Sequence, residues 1–273
     1  MTTTAPLPTM LNGFGNQHQS EAVPGCLPVG QNSPQQVAHG LYAELLSGTA
    51  FTAPRASNLR TWLYRRRPSV LVGHCSALAH EGWKTGAAQG IQSPPNPLRW
   101  SPAAVPGEQD EALDFVDGLR TIVVNGDAES QIGMAAHWVL ANRSMDRRAL
   151  INADGEMLLL PQQGRLRITT ELGLLQVGPG ELALLPRGMA FKVELLDGPS
   201  RIYVAENYGA PFRLPELGPI GSNGLANPRD FLAPTAAFEK DDGAYELVKR
   251  HGGQLWRAEA AATPFNLFSS VTR

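Results

Sequence analysis

Gly180–Phe191 reads GELALLPRGMAF, and the rest of the chain can be read outward from it. Glu181 to Leu185 is a short, mostly apolar run of strand length. Pro186 fixes one backbone dihedral and Gly188 relaxes another, so a tight turn is expected there. On the strand that follows, the two-residue period places Phe191, Val193 and Leu195 on one face and Lys192 and Glu194 on the other. Phe191 is therefore expected to point inward, with nothing but carbon to offer.

The same grammar repeats on both sides of this hairpin. A strand series starts in residues 112–124. Short strands are expected at Ala135 to Leu140, Ala149 to Asn152, Glu156 to Leu160, Arg165 to Thr170, Leu174 to Val177 and Arg201 to Tyr208. Turn signals at residues 152–155, 163–164, 178–180 and 197–199 separate them. Eight or so short strands with glycine-rich turns predict a mainly β protein, a jelly-roll or β-sandwich.

The flanks read differently. Residues 1–60, rich in Pro, Gly, Asn, Gln and Ser, form a long irregular arm whose apolar residues suffice for docking. Within it, Leu41 to Leu46 fits one or two helical turns. Residues 51–72 look extended, with Trp62, Tyr64 and Val70 as anchors, and the prolines of residues 73–111 argue against regular structure. The expected division is 1–111 arm and loop-rich extended region, 112–235 β-domain, and 236–273 the start of a connection.

Composition narrows the function. A net charge of -2 over 273 residues gives no electrostatic footprint for nucleic acid or an anionic membrane. Arg65-Arg66-Arg67 is the one basic cluster, expected as a solvated edge or an intersubunit salt bridge. No apolar run is long enough to span a bilayer, and the N-terminus lacks signal-peptide regions. Two cysteines, Cys26 and Cys75, form no pattern and are expected as free thiols in a reducing cytoplasm.

The spacing of Gly180, Pro186 and Gly188 is similar to the second cupin motif, G-x5-P-x-G-x2-H, with Phe191 in place of the metal-binding histidine. The region where a first motif would supply His-x-His and Glu, Ile151 to Gly164, holds no histidine. Asp154 and Glu156 are turn carboxylates, and two carboxylates rarely build a transition-metal site. The six histidines (His18, His39, His74, His80, His137, His251) show no H-x-H or H-E-x-x-H spacing. His74, His80 and Glu81 could be drawn as a two-histidine, one-carboxylate set, but they lie in a loop without rigid strands to hold it. His137, in AAHWVL, reads as a hydrogen-bonded core or interface histidine. No catalytic residue and no metal ligand is expected in this chain.

An ordered set of segments resembles the N-terminal portion of the homogentisate 1,2-dioxygenase family. They include Gly13–Asn16 (GFGN), Leu27–Asn32 (LPVGQN), Phe51–Arg55 (FTAPR), Arg60–Tyr64 (RTWLY), Asn96–Trp100 (NPLRW), Asp114–Leu119 (DFVDGL), Arg187–Phe191 (RGMAF) and Leu217–Gly221 (LGPIG). The most specific is Asn223–Phe231 (NGLANPRDF). The resemblance runs from about Gly13 to Asn266.

The resemblance implies a bicupin of tyrosine and phenylalanine catabolism that adds O2 to homogentisate and opens its ring to maleylacetoacetate. It implies Fe(II) held by two histidines and a glutamate in a second domain, and a cytoplasmic hexamer built from trimers. Here it covers only the metal-free half, and no iron ligand carries over. The arm reaches a neighbouring active site in that family, which makes Gln31 a candidate substrate contact. Leu267–Arg273 (LFSSVTR) departs from the family pattern, as a frameshift or early stop would leave it. An apolar patch around Phe238, Leu255, Trp256, Phe265 and Phe268 is then expected to be exposed. The alternative is a metal-free cupin that binds or assembles and catalyses nothing.

Overall fold

The computed structural model describes residues 8–13, 17–28, 37–86, 95–97, 99, 101–214, 227–240 and 243–272. Five strands come first: β1 (Met10–Asn12), β2 (Gln19–Glu21), β3 (Tyr42–Ser47), β4 (Arg60–Arg65) and β5 (Ser76–Ala77). A dense run follows: β6 (Leu119–Asp127), β7 (Ile132–Ala141), β8 (Arg148–Asn152), β9 (Gly155–Gln163), β10 (Leu166–Thr170), β11 (Gly173–Val177), β12 (Ala183–Leu185), β13 (Ala190–Leu195) and β14 (Ser200–Tyr208). The last four are β15 (Leu232–Pro234), β16 (Tyr245–His251), β17 (Gln254–Ala260) and β18 (Leu267–Thr272). The described residues contain no α-helix, only short 3-10 turns.

Two sheets form the sandwich. One has the order β11-β10-β13-β8-β16-β17-β5, the other β12-β9-β14-β7-β6. Their facing sides share one core, with Leu150, Ile168, Phe191, Val193 and Val248 from the first against Val139, Met157, Leu159, Ile202 and Val204 from the second. Alternation creates this. β14 is buried at every second residue, Ser200 through Tyr208, so one face enters the core and the other leaves it. Pro161 sits inside β9, where its missing N–H would break the ladder. The β9–β14 register shifts there, between Arg201 and Ile202, which accommodates it. The result is the mainly β, cupin-like sandwich expected from the turn spacing, and its sheets do not close into a barrel.

A third sheet, β2-β18-β4-β3, lies behind the seven-stranded one. Leu63, Leu46 and Leu267 of this sheet pack with Leu172 from the β10–β11 turn. Arg65 reaches across to Glu171, whose Oε2 accepts the Ala190 N–H at 2.7 Å. Arg65 also pairs with Glu44 at 2.8 Å. This corrects the expected solvated edge or intersubunit bridge: Arg65 is a buried link between two sheets of one chain.

Other expectations are corrected as well. Leu41 to Leu46 is not helical: Tyr42–Ser47 pairs antiparallel with Arg60–Arg65 along its whole length. Six cross-strand partners override a spacing that fits either period. Residues 114–118 turn before β6 begins, because Asp114 Oδ1 accepts the N–H groups of Val116 and Asp117. Val70 is 77% exposed and anchors nothing. The expected exposed patch does not form. Leu255 and Phe265 are buried, Phe238 and Phe268 pack edge to face at 4.5 Å, and Trp256 Nε1 donates to His251 O.

Candidate functional site

The Pro186–Gly188 turn forms as its spacing predicts. Gly188 has φ +83, a left-handed conformation that favours glycine, and its N–H donates to Asn152 O at 2.7 Å. This bond fastens the start of β13 beside the end of β8. Phe191 then points inward, fully buried, with its ring edge-on to Phe115 at 5.6 Å. Burying such a ring is worth roughly 1.5–3 kcal/mol. The position that faces the interior in a metal-binding cupin is core packing here.

The polar chemistry of the interior lies deeper, between β14, β7, β8 and β16. Glu206 is completely buried on β14. Its Oε1 pairs with the Arg250 guanidinium and accepts from Asn152 Nδ2. Its Oε2 accepts from His137 Nε2 at 3.0 Å, and His137 Nδ1 lies 3.0 Å from Thr121 Oγ1. Burial by itself would raise the Glu206 pKa. The Arg250 charge and the hydrogen bonds from His137 and Asn152 outweigh it and hold the pKa below the usual glutamate value. Burial and the neighbouring Glu206 push the Tyr208 hydroxyl up, so it stays neutral, and it accepts from Arg250 at 3.2 Å.

Arg250 is boxed on its faces too. Its guanidinium lies 4.7 Å from the centre of the Trp83 ring and 5.4 Å from that of Tyr208. Asp154 closes the end of the network, accepting the N–H groups of Gly252 and Gly253 at 2.8 and 2.9 Å. Asn152 Oδ1 accepts from Asp154 N and Gly155 N, which builds the turn that the sequence signals. His137 is thus the hydrogen-bonded core histidine expected from its strand. Glu206 and Arg250 carry no spacing signal in the sequence. A charged residue at an inward position of an alternating strand is the one clue available for Glu206.

This donor set does not fit Fe(II). Phe191 has no lone pair. Asn152 and Glu206 spend their oxygens on backbone N–H groups, Arg250 and His137. Among the described residues, no group of three His, Cys, Asp or Glu side chains is placed to hold a metal ion. His74, His80 and Glu81 do not converge. His80 faces inward, with Nε2 2.8 Å from Val116 O and Nδ1 accepting the Trp83 N–H, and burial lowers its pKa. His74 is exposed and lines a groove of about 660 Å³ with Arg147, Glu246, Arg257 and Glu259. Gln31 lies outside the described residues. No helix of the described residues is long and apolar enough to cross a membrane.

Comparison with known proteins adds to this geometry. Residues 9–270 match the family model for the homogentisate 1,2-dioxygenase N-terminal region. The match takes in Leu267–Ser270, which the sequence reading sets outside the family pattern. Homogentisate 1,2-dioxygenases from Pseudomonas putida F1 and KT2440 are each 54% identical over 264 residues, 97% of this chain and 59% of theirs. That from strain GB-1 is 53% identical over the same span. The chain therefore spans about three fifths of the length of these relatives. Among solved structures, a cupin-2 domain protein from Shewanella frigidimarina overlaps 33% of this chain and 78% of its own at 18% identity, with a TM-score of 0.27. KdgF from Halomonas sp. overlaps 40% of this chain and 96% of its own at 13% identity, with a TM-score of 0.29. The family match over nearly every residue, together with identity above one half, decides the matter: the chain belongs to the homogentisate 1,2-dioxygenase N-terminal family.

Proposed function

We propose that this chain is the metal-free half of a cytoplasmic enzyme that opens homogentisate with O2 to give maleylacetoacetate. Fe(II) is then held by polypeptide equivalent to the remainder of the relatives, a reading supported by the lack of a three-residue His, Cys, Asp or Glu donor group among the described residues. The observation that carries the reading is Phe191, buried at the inward position of a chain that is 54% identical to named homogentisate dioxygenases. What this half supplies is a rigid scaffold and an arm.

Oxygen uptake with homogentisate tests this. The chain alone is expected to consume none, and addition of Fe(II) with the C-terminal remainder of the Pseudomonas putida relative is expected to restore uptake. Turnover by the unaided chain, or stoichiometric tightly bound iron in it, would overturn the reading. A second reading, a binding or assembly module without catalysis, is favoured by the Glu206 carboxylate, whose two oxygens are both taken by Arg250, Asn152 and His137. It predicts complex formation with no uptake.

Gln31 is proposed as a substrate contact supplied by the arm across a subunit interface in a trimer-based hexamer. In the reconstituted enzyme, Gln31→Ala is expected to raise KM about fivefold, the worth of one neutral hydrogen bond, with kcat changed less. An unchanged KM removes Gln31 from the site.

A further inference from the structure

The groove beside His74 lies where the inner face of the seven-stranded sheet leaves the core. Val248 and Leu255 of that face belong to the core shared by the two sheets. By alternation, Arg257 and Glu259 on β17 and Glu246 on β16 project from the same face, and these line the groove instead. Ser76 on β5 is opposite Arg257, and Arg148 on β8 is beside Glu246. The groove's volume, about 660 Å³, is that of a small-molecule site.

The charges on this floor do not cancel among themselves. Glu246 and Glu259 stand directly opposite each other, a like-charge pairing that destabilises a sheet. Arg148 Nε donates to Glu246 at 3.1 Å, but the same guanidinium also serves Asp114 at 2.8 Å and Asp117 at 2.9 Å. Among the described residues, the Glu259 and Arg257 side chains have no ion pair and no hydrogen bond, and both are exposed. They are two residues apart on one face, roughly 7 Å between Cα atoms, and do not close on each other. The walls are held in place. Gly73 N donates to Glu259 O at 2.7 Å, and a Cβ at Gly73 would come within 3.2 Å of that oxygen. Arg147 Nε donates to Ala244 O at 2.8 Å, and a Cβ at Gly243 would lie 2.1 Å from Arg147 Nη2.

We propose that this groove binds a free α-amino acid, with Arg257 receiving its carboxylate, Glu259 its ammonium and the remaining volume its side chain. A ligand with one charge would satisfy one of these groups and strand the other. A zwitterion carrying both charges close together satisfies the two at once, and its ammonium also relieves the facing Glu246 and Glu259 carboxylates. Such charge-assisted hydrogen bonds are the stronger kind. The groove lining includes neither Phe191 nor any member of the Glu206 network, so binding here is independent of the proposed oxygen chemistry.

Calorimetric titration of the chain at low salt with glycine, L-leucine, L-glutamate and L-lysine tests this. At least one is expected to bind with a dissociation constant of about 1 mM or tighter. Acetate and methylammonium, each with a single charge, are expected to bind about tenfold more weakly. Arg257→Gln and Glu259→Gln are each expected to weaken amino-acid binding about tenfold, with Tm unchanged. Arg229→Gln, on the exposed turn before β15, is expected to leave it intact. The imidazole NMR signal that His74→Gln removes is expected to move during the titration. Absence of binding by all four amino acids overturns the proposal, and so does binding that survives both β17 changes. Acetate binding as tightly as the amino acids also overturns it, since a plain carboxylate is then the ligand. So does concentration-dependent self-association that Arg257→Gln abolishes, since a second copy then fills the groove.

Discussion

A carboxylate with no exposure at all, such as Glu206, survives in its charged form because three groups, Arg250, His137 and Asn152, share its cost. Removing its charge strands Arg250, whose guanidinium is equally buried and whose Nε has only Asp154 at 3.7 Å. Glu206→Gln is expected to destabilise the fold by about 3–5 kcal/mol, the range for breaking one side of a buried pair. Urea unfolding at neutral pH measures this, and a loss below 1 kcal/mol would show that the network is not cooperative. The pH dependence follows from the lowered pKa. The contribution of Glu206 is full above its unfolded value, roughly 4.3. It falls as acid protonates the unfolded chain first, and is gone once pH passes below the folded pKa. Stability of the wild type is therefore expected to drop more steeply below about pH 4.3 than that of Glu206→Gln.

At the scale of elements, the β6–β7 hairpin turns on two glycines. Gly126 and Gly133 face each other in the ladder with φ +91 and +100. A Cβ on Gly133 would lie 1.9 Å from Asn125 O. Gly133→Ala is expected to cost about 1–3 kcal/mol and to open the hairpin end, read as faster amide exchange from Asn125 to Ile132. Unchanged exchange there would refute the close approach. This hairpin also shows what could be read in advance. The strands from Ala135 to Tyr208 declared themselves because their alternation and their turn residues agree. Residues 41–46 did not, because LYAELL fits a 3.6-residue and a two-residue period alike, and only Arg60–Arg65, far along the chain, settles it as a strand. Phe191 was legible as an inward ring from three spaced residues. The Glu206–Arg250 pair was not, since its partners stand 44 residues apart and no local pattern announces them.

For the whole molecule, the Arg65–Glu171 ion pair is the buried charged link between the sandwich and the third sheet, beside the Leu172 contact. Glu171→Ala leaves the buried Arg65 with Glu44 and removes the carboxylate that accepts the Ala190 backbone N–H. A loss of about 2–3 kcal/mol is expected, somewhat below a full buried pair because Glu44 remains. Amide exchange should accelerate in residues 42–47, 60–65 and 267–272 before it does in the sandwich. Uniform acceleration would mean that the three sheets unfold as one body and that Arg65 is not their joint.

The pairing of β8 with β16 is parallel and joins residues about a hundred positions apart, Arg148 beside Glu246. The arm strands wait longer still: β1 needs β15, β2 needs β18 and β5 needs β17. A nascent chain leaving the ribosome therefore carries β1, β2 and β5 without partners until the last quarter has been made. Contacts of such sequence separation fold slowly and expose unpaired strands meanwhile. Synthesis of this protein is thus a race between translation and misassembly, in which the earliest residues to emerge are among the last to find their places.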